Sequence, residues 1–332
     1  MKTALSNNGG KQIQYDTVST VVINEHNAQQ RLDNFLLVKL KGAPKSLIYK
    51  IIRTGQVRVN KKRATARVRL NPGDIVRIPP IKSLEQKNCS QVPGKRFSAL
   101  IESSVLFEDN DIILVNKPAG IAVHGGSGIN IGLIEALRKL RPEKHFMELV
   151  HRIDKETSGC LLIATKRSVL RHIHNEIRER RVCKAYQLLA AGCWITKNKQ
   201  TVNLPLKKNV LSSGERIVTV SDQGKAARTW FKSNECFADC TLLSAKLDTG
   251  RTHQIRVHAK SCGHPIAGDE KYGSTEFNSI IKKKYGIKRL MLHASQLGIT
   301  MPSGEFMQFS APLPEDFASA IAIMKASVQT RA

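Results

Sequence analysis

Apolar residues between positions 19 and 81 recur first at the helical period and then at the strand period. One helical face is predicted at Leu32, Phe35 and Leu36, and a second at Leu47, Ile48, Ile51 and Ile52. Gly55 stands where a glycine commonly ends a helix, and Val57 and Val59 then alternate with polar residues as in a strand. A turn at residues 71–74 precedes the short strand Ile75–Ile78. The pattern predicts a small α/β domain over residues 19–81.

A different pattern begins near Ala99, where short apolar strands alternate with turns and helices. Ile112–Val115 and Cys160–Ile163 have the composition of buried strands, and a basic helix is predicted over Ser168–Arg180. These elements predict a larger mixed α/β domain over residues 99–332, so the whole chain belongs to the α+β class. Residues 82–98 are aperiodic and predict a linker, and the polar residues 1–18 predict a flexible tail.

The charge balance narrows the class of partner. The chain carries 53 Lys and Arg against 27 Asp and Glu, a net charge of +26, which favours a polyanion such as nucleic acid or an anionic membrane. A membrane is disfavoured because the sequence has no run of about 18 apolar residues and no hydrophobic signal segment. Seven scattered cysteines without a CxxC pair favour reduced thiols over disulfides or zinc. We therefore expect a cytoplasmic protein without a structural metal.

The small domain concentrates this positive charge. Between Val21 and Pro80 there are 13 Lys and Arg but only three acidic residues. One group of cations falls on or near the second predicted helix and another in an adjacent loop: Lys45, Lys50, Arg53, Lys61, Lys62 and Arg63. Clustered cations on a small fold suit contact with a phosphate backbone. The alternative is a solvated basic surface that binds no ligand.

Asp154 is the first candidate for chemistry in the larger domain. It lies between Arg152 and Lys155, just before a tight turn predicted at residues 157–159. Neighbouring cations favour the ionised form of a carboxylate, which is the form that attacks carbon or takes a proton. The alternative role, a surface salt bridge or turn former, stays open on the residues alone.

A second candidate segment is a helix predicted to be capped by Thr252 and to run to about Cys262. Arg256 on this helix is expected to be half-buried, so it needs an anion that a loop aspartate can supply. His253 and His258 are five residues apart, which places them on different sides of a helix and argues against a zinc pair.

Three further segments are ambiguous. Tyr186 alternates with apolar neighbours in a strand, so it is either a core residue or an aromatic that stacks on a base. The glycines at 125, 126 and 128 form either a plain turn or a close contact with a phosphate or sugar. Residues 282–289 are predicted to form a basic surface loop that adds to RNA contact.

Several segments together resemble the RluA-type family of pseudouridine synthases. HRIDKETSG is similar to that family's signature HR(L/I)DxxTSG, with Ile153 where Leu is usual. NKPAGIAVHGG, KAYQLLAAG, TGRTHQIRVHA and GHPIAGDEKYG are similar to its other blocks in the same order. The stretch from residue 31 to 63 resembles an S4 RNA-binding domain, which joins helix, helix, Gly and a basic hairpin.

The resemblance implies a reaction and a set of site residues. The family converts uridine to pseudouridine, with Asp154 acting on the ribose, Arg256 paired to it, Tyr186 stacked on the uracil and Arg152 holding the RNA open. Lys117, His124 and Arg251 lie in matching blocks and are expected to contact RNA. The target uridine has to leave its stack to be reached. No cofactor and no metal are implied.

The substrate is narrowed further by resemblance to one branch of the family. GQVRVNKKR, VHGGSG and SGERIV are similar to a branch that modifies several 23S ribosomal RNA uridines near the peptidyl transferase centre. The expected partner is therefore 23S RNA or a large-subunit assembly intermediate, bound by a monomer. Two alternatives remain at this point. One is a synthase for another ribosomal or transfer RNA site, and the other is a non-catalytic RNA-binding assembly protein.

Overall fold

The computed structural model describes residues 18–40, 43, 45–80, 94–125, 131–196, 198–210 and 216–329. The chain divides into two compact units, residues 1–90 and 91–332. The predicted tail, most of the predicted linker and the glycines at 126 and 128 lie outside the described residues.

The described residues of the first unit form two α-helices, a short 3-10 helix at Glu25–Asn27 and a four-stranded antiparallel sheet of order β1-β4-β2-β3. Its elements are β1 (Ser19–Val22), α1 (Leu32–Lys39), α2 (Lys45–Arg53), β2 (Arg58–Val59), β3 (Lys62–Arg63) and β4 (Ile75–Ile78). The apolar positions predicted from periodicity form its core, in which Leu32, Leu36 and Ile48 are fully buried. The helices and the strand at 75–78 therefore form where the sequence pattern predicted them.

Turns in the first unit are set by backbone conformations that few residues tolerate. Gly55, just after α2, has φ of +71°, as expected for a helix-terminating glycine. Asn60 and Lys61 have φ of +49° and +65°, and two such central residues make a tight hairpin turn between β2 and β3. Lys62 and Arg63, predicted to lie in a loop, are therefore the strand β3 of this hairpin.

The second unit is built on a ten-stranded mixed sheet and a separate two-stranded hairpin. Its elements are α3 (Lys95–Ser103), β5 (Val105–Glu108), β6 (Ile112–Lys117), α4 (Leu133–Leu140), β7 (Glu148–Leu149), β8 (Ser158–Ala164), α5 (Arg167–Arg178), β9 (Cys183–Ala191), β10 (Gln200–Asn203), β11 (Leu206–Val210), β12 (Arg216–Val220), β13 (Arg228–Cys236), β14 (Cys240–Leu247), α6 (Gln254–Ser261), α7 (Thr275–Tyr285), β15 (Leu292–Thr300), β16 (Phe306–Ser310) and α8 (Glu315–Gln329).

The strand order is β10-β13-β14-β9-β15-β8-β6-β5, with β16 paired to β15 and β7 to β8. Within the described residues, β8 and β15 form the one parallel pair, and the other pairs are antiparallel. Every residue of β8 is buried, as is typical of a strand in the interior of a sheet that is covered on both faces. The predicted α+β class with a mostly antiparallel catalytic sheet is confirmed.

Two predicted boundaries in the second unit are wrong. Helix α3 begins at Lys95, so residues 95–98 of the predicted linker are helical. The predicted surface loop at 282–289 begins with the last turn of α7, which ends at Gly286 with φ of +69°. Both errors arise because polar, basic stretches form exposed helical turns as readily as they form loops.

The turn beside Asp154 also differs from its prediction. Lys155 and Glu156 form the turn, closed by the N–H of Thr157 donating to the carbonyl oxygen of Asp154 at 3.2 Å. Ser158 and Gly159 already belong to β8. Gly159 is required there because a Cβ would overlap the carbonyl of Ala294 on the parallel strand β15.

No helix among the described residues is long and apolar enough to cross a membrane.

Candidate active site

Asp154 lies on the loop between β7 and β8, with about a quarter of its side chain exposed. The loop is anchored by Lys117, whose Nζ donates to the carbonyl oxygens of Pro118, Ile121 and Lys155 at 2.8–2.9 Å. The Lys117 side chain is fully buried, and burial lowers its pKa to about 7. This geometry contradicts the expectation that Lys117 contacts RNA. A fully buried ammonium group that already donates to three carbonyl oxygens cannot reach a phosphate.

Arg256 approaches Asp154 from helix α6. Its Nη1 lies 3.6 Å from Asp154 Oδ2, while Nε and Nη2 each donate at 2.7 Å to the two carboxylate oxygens of Asp269. The sequence predicted an anion for Arg256, and two are present. Asp269 is fully buried, which acts to raise its pKa, but the hydrogen bonds and charge of Arg256 bring that pKa below its usual value. The bidentate pair therefore holds the guanidinium in one orientation beside Asp154.

The start of α6 differs from the prediction. The residue that precedes the helix is His253, with φ of +53°, and no side chain caps the helix there. Thr252, predicted to be the cap, instead accepts a 3.4 Å hydrogen bond from Arg152. The Gln254 side chain accepts from the N–H of Arg251 at 3.0 Å and thereby ties the start of the helix to the turn that precedes it. This arrangement turns His253 toward Asp154.

His253 was not singled out as a site residue by the sequence pattern. Its Nε2 lies 3.9 Å from Asp154 Oδ2, and its Nδ1 lies 2.7 Å from the hydroxyl of Tyr272. The Tyr272 oxygen accepts from the N–H of Val218, so its own proton is free to donate to Nδ1. That arrangement leaves the proton of a neutral His253 on Nε2, which faces the carboxylate. Burial lowers the pKa of His253 and favours this neutral form.

Tyr186 lies on β9, in the middle of the large sheet, and is 8% exposed. It lines the same cavity as Asp154 and Arg256. Burial raises the pKa of its hydroxyl, and the nearby charge of Asp154 acts in the same direction, so the ring is a neutral phenol at physiological pH. A neutral aromatic at the wall of a cavity is suited to stack on a nucleobase.

The cavity has a volume of about 720 Å³, enough for a nucleoside-sized group. Its walls hold two carboxylates, Asp154 beside Arg256 and Asp248 beside Arg228, and a set of cations: Arg152, Arg178, Arg180, Lys184, Arg251 and Arg256. The structure thus brings together five of the predicted site residues, namely Asp154, Tyr186, Arg256, Arg152 and Arg251. A polyanion with one group inserted into the cavity matches this distribution of charge.

The remaining predicted residues lie elsewhere. His124 is exposed, with its Nδ1 2.8 Å from the Gly125 carbonyl oxygen, and does not line the cavity. Of the six cations predicted in the first unit, five are exposed: Lys50, Arg53, Lys61, Lys62 and Arg63. Lys45 is the first residue of α2, and its side chain lies outside what the structure describes.

Asp269, Tyr272 and Lys184 are site residues that the sequence patterns did not predict. Asp269 and Tyr272 lie in a segment quoted above only for its family resemblance, and Lys184 lies two residues before Tyr186. Asp269 is followed by Glu270 and Lys271, so its local sequence carried no signal that it would be buried. Within the described residues, no group of three or more His, Cys, Asp or Glu side chains is arranged to hold a metal ion.

Comparison with known families identifies the class. The family profile described as RNA pseudouridylate synthase matches residues 111–261, and the S4 domain profile matches residues 30–76. Human RNA pseudouridylate synthase domain containing 1 has a similar fold, with a TM-score of 0.55 and 27% identity over 69% of this chain and 94% of that one. The chain belongs to the RluA-type pseudouridine synthase family with an N-terminal S4 domain, and it is an isomerase.

Its relatives within the family are highly similar along most of the chain. The ribosomal large subunit pseudouridine synthase C of Haemophilus influenzae is 50% identical over 298 residues, which cover 90% of this chain and 92% of that protein. The protein of the same name from Escherichia coli is 49% identical over 301 residues, 90% and 94% of the two chains.

Proposed function

We propose that the protein converts uridines of large-subunit (23S) ribosomal RNA to pseudouridine, at sites near the peptidyl transferase centre. The observation that carries the proposal is the carboxylate of Asp154, which lies 3.6 Å from Arg256 in a cavity of nucleoside size that several other cations line. The names of the similar relatives specify the ribosomal large subunit. Such a substrate implies that the protein works in the cytoplasm, on 23S RNA or on an assembly intermediate, and a monomer provides all the groups that follow.

The reaction breaks the bond between uracil N1 and ribose C1′, rotates the base and joins C5 to C1′, with loss of the C5 proton. Asp154 either attacks C1′ or takes a ribose proton, and both roles need it ionised. Arg256 Nη1 lies 3.6 Å and His253 Nε2 lies 3.9 Å from Asp154 Oδ2, so a fixed cation and a ring nitrogen both face the carboxylate. No redox or metal chemistry is required because the base is detached and rejoined without a change in oxidation state.

Binding places the target base against Tyr186, whose neutral ring stacks on the uracil. Removing the uridine from its own stack costs a few kcal/mol. Cation contacts with the RNA backbone offset this cost, and Arg152 and Arg251 at the exposed edge of the cavity are suited to make them. The exposed cations of the first unit, which contains the S4 match and is called the S4 unit from here on, extend the electrostatic contact to RNA beyond the target nucleotide.

The test is Asp154→Asn, which keeps the size of the side chain and removes its charge. Tritium release from 5-tritiated uridine in a 23S transcript is expected to disappear, while binding measured by filter retention stays within about tenfold. Substantial isomerisation by the folded variant would contradict the role of Asp154. Wild-type protein that releases tritium from transfer RNA but from no 23S transcript would assign the enzyme to another substrate.

A further inference from the structure

Helix α5 carries a row of basic side chains on one exposed face. Arg167, Arg171, His174 and Arg178 are spaced by four, three and four residues, so they fall within about 60° of the helix circumference. All four are exposed. The opposite face packs into the core through Val169 and Ile173. We call the four residues the α5 stripe.

The arginines of the α5 stripe have no carboxylate partner in the part of the chain that the structure describes. No carboxylate of the described residues lies within 4.0 Å of the guanidinium of Arg167, Arg171 or Arg178. Arg178 donates to an amide oxygen, and Arg167 lies over the ring of Phe146 at 5.3 Å.

Neighbouring cations behave differently. Lys166 pairs with Asp111 at 2.6 Å, and Arg181 pairs with Glu176 at 2.6 Å. The same short segment therefore contains paired cations and a row of unpaired ones. Aligned, unpaired positive charge raises the energy of the isolated protein and favours an anionic ligand.

One end of the α5 stripe is part of the active-site cavity. His174 and Arg178 line it, and His174 Nε2 lies 3.1 Å from the carbonyl oxygen of Val150 at the cavity wall. Arg180, just beyond the helix, also lines the cavity and has φ of +60°, an uncommon conformation for arginine. The stripe leads away from the catalytic carboxylate along the exposed face of the helix.

The length of the stripe fits a stretch of nucleic acid backbone. At a rise of 1.5 Å per residue, Arg167 and Arg178 are about 16 Å apart along the axis, a distance that several consecutive phosphates of one strand span. Arginine suits this contact because its planar group binds phosphate oxygens in pairs.

We propose that the α5 stripe binds the phosphates of the RNA strand on one side of the target uridine and thereby directs that strand into the cavity. The inference rests on the proposed function. It assigns to α5 an RNA contact separate from that of the S4 unit, and it predicts that the contact is one-sided, because the stripe meets the cavity at one end only.

The test compares two double variants that each remove two positive charges. Arg167→Gln with Arg171→Gln removes the distal half of the stripe, where neither residue lines the cavity. Arg96→Gln with Lys232→Gln is the control, at exposed positions on α3 and β13, which contribute no residue to the cavity. The probe is the shortest 23S transcript in which wild-type protein forms pseudouridine.

The stripe variant is expected to bind this transcript at least about fivefold more weakly at low salt and to reduce the slope of log affinity against log salt by about 1.5–2 units. The control double variant is expected to change the slope by less than about 0.5 unit. Arg167→Lys with Arg171→Lys retains the charge and is expected to retain most of the slope. Unchanged slope and affinity in the Gln double variant, with its fold intact, would overturn the proposal.

A second measurement checks the one-sided contact. Transcripts shortened from the 5′ or the 3′ side of the target uridine are titrated with wild-type and Gln double-variant protein. The affinity difference is expected to vanish for one of the two series only. A difference that persists equally in both would overturn the proposal, since a diffuse field rather than a strand contact would explain it. Failure of wild-type protein to modify any 23S transcript would instead reject the proposed function.

Discussion

The two units of the chain use the same cationic side chains in opposite ways. In the S4 unit, Lys61 and Lys62 are exposed at a hairpin turn. In the second unit, which contains the pseudouridine synthase match and is called the catalytic unit below, Lys117 is fully buried and donates to three carbonyl oxygens. The same chemical group is exposed to solvent in one place and anchors the loop of Asp154 in the other. A net charge of +26 therefore overstates the charge available to RNA.

Arginine shows the same contrast. Arg53 of the S4 unit is exposed at the end of α2, whereas Arg256 of the catalytic unit is 7% exposed and held by Asp269 through two 2.7 Å hydrogen bonds. Exposed cations are expected to act additively and to be screened by salt. Buried cations are expected to act through geometry, with large effects from single substitutions and little salt dependence.

The largest expected effect is on stability, from Lys117→Met. Removal of the ammonium leaves three buried carbonyls without a donor, so the free energy of unfolding is expected to fall by about 3 kcal/mol or more. Lys208→Met, at an exposed position on β11 of the same unit, is expected to change it by no more than about 0.5 kcal/mol. Both tryptophans, Trp194 and Trp230, lie in the catalytic unit, so urea unfolding followed by their fluorescence reports that unit. A loss below about 1 kcal/mol would mean that Lys117 does not anchor the loop.

The second-largest expected effect is on the single-turnover rate, from Asp269→Asn. The amide weakens the charge-assisted pair that orients Arg256, and the single-turnover rate is expected to fall by about 30- to 100-fold, or 2–3 kcal/mol. RNA affinity is expected to change less than about threefold, because Asp269 is buried away from the ligand.

Asp316→Asn is the matched control, since Asp316 also binds an arginine bidentately, at the surface. Its single-turnover rate is expected to stay within about twofold of wild type. Equal losses of rate and of RNA affinity in Asp269→Asn would indicate a merely structural role for Asp269.

The smallest effect per residue is expected in the S4 hairpin. Changing Lys61, Lys62 and Arg63 together to Ala is expected to flatten the slope of log affinity against log salt by about two to three units. Isomerisation of a saturating transcript is expected to remain near the wild-type rate, because these residues lie in a unit separate from Asp154. An unchanged slope would show that the hairpin does not contact RNA.

Local patterns predicted local structure well. The strand at 75–78 and the apolar faces of α1 and α2 follow from periodicity within a few residues, and the structure confirms them. The position of Asp154 was found through a motif, but the turn beside it was misplaced. Gly159 looked like a turn residue, whereas it serves the close approach of β15, which is 135 residues further along the chain.

Properties that depend on distant contacts could not be predicted in the same way. Lys117 stands between Asn and Pro, a context typical of an exposed turn, and its burial depends on carbonyls from residues 121 and 155 as well as its neighbour. The role of Asp269 could be recognised only in the folded structure, where it binds Arg256. The sequence indicated that Arg256 needed an anion. It could not indicate that Asp269 would bind Arg256 through two hydrogen bonds and that Asp154 would lie 3.6 Å away.

The place of β15 in the large sheet has a consequence for biosynthesis. This strand, near the C-terminal end of the described chain, lies between β8 and β9, which are made more than a hundred residues earlier. While the chain is being translated, the S4 unit can fold as soon as it emerges, since its contacts are local. The strands that carry Tyr186 and follow Asp154 have to wait for β15 before they share a sheet. The nascent protein therefore acquires a fold suited to holding RNA well before it acquires an assembled active site.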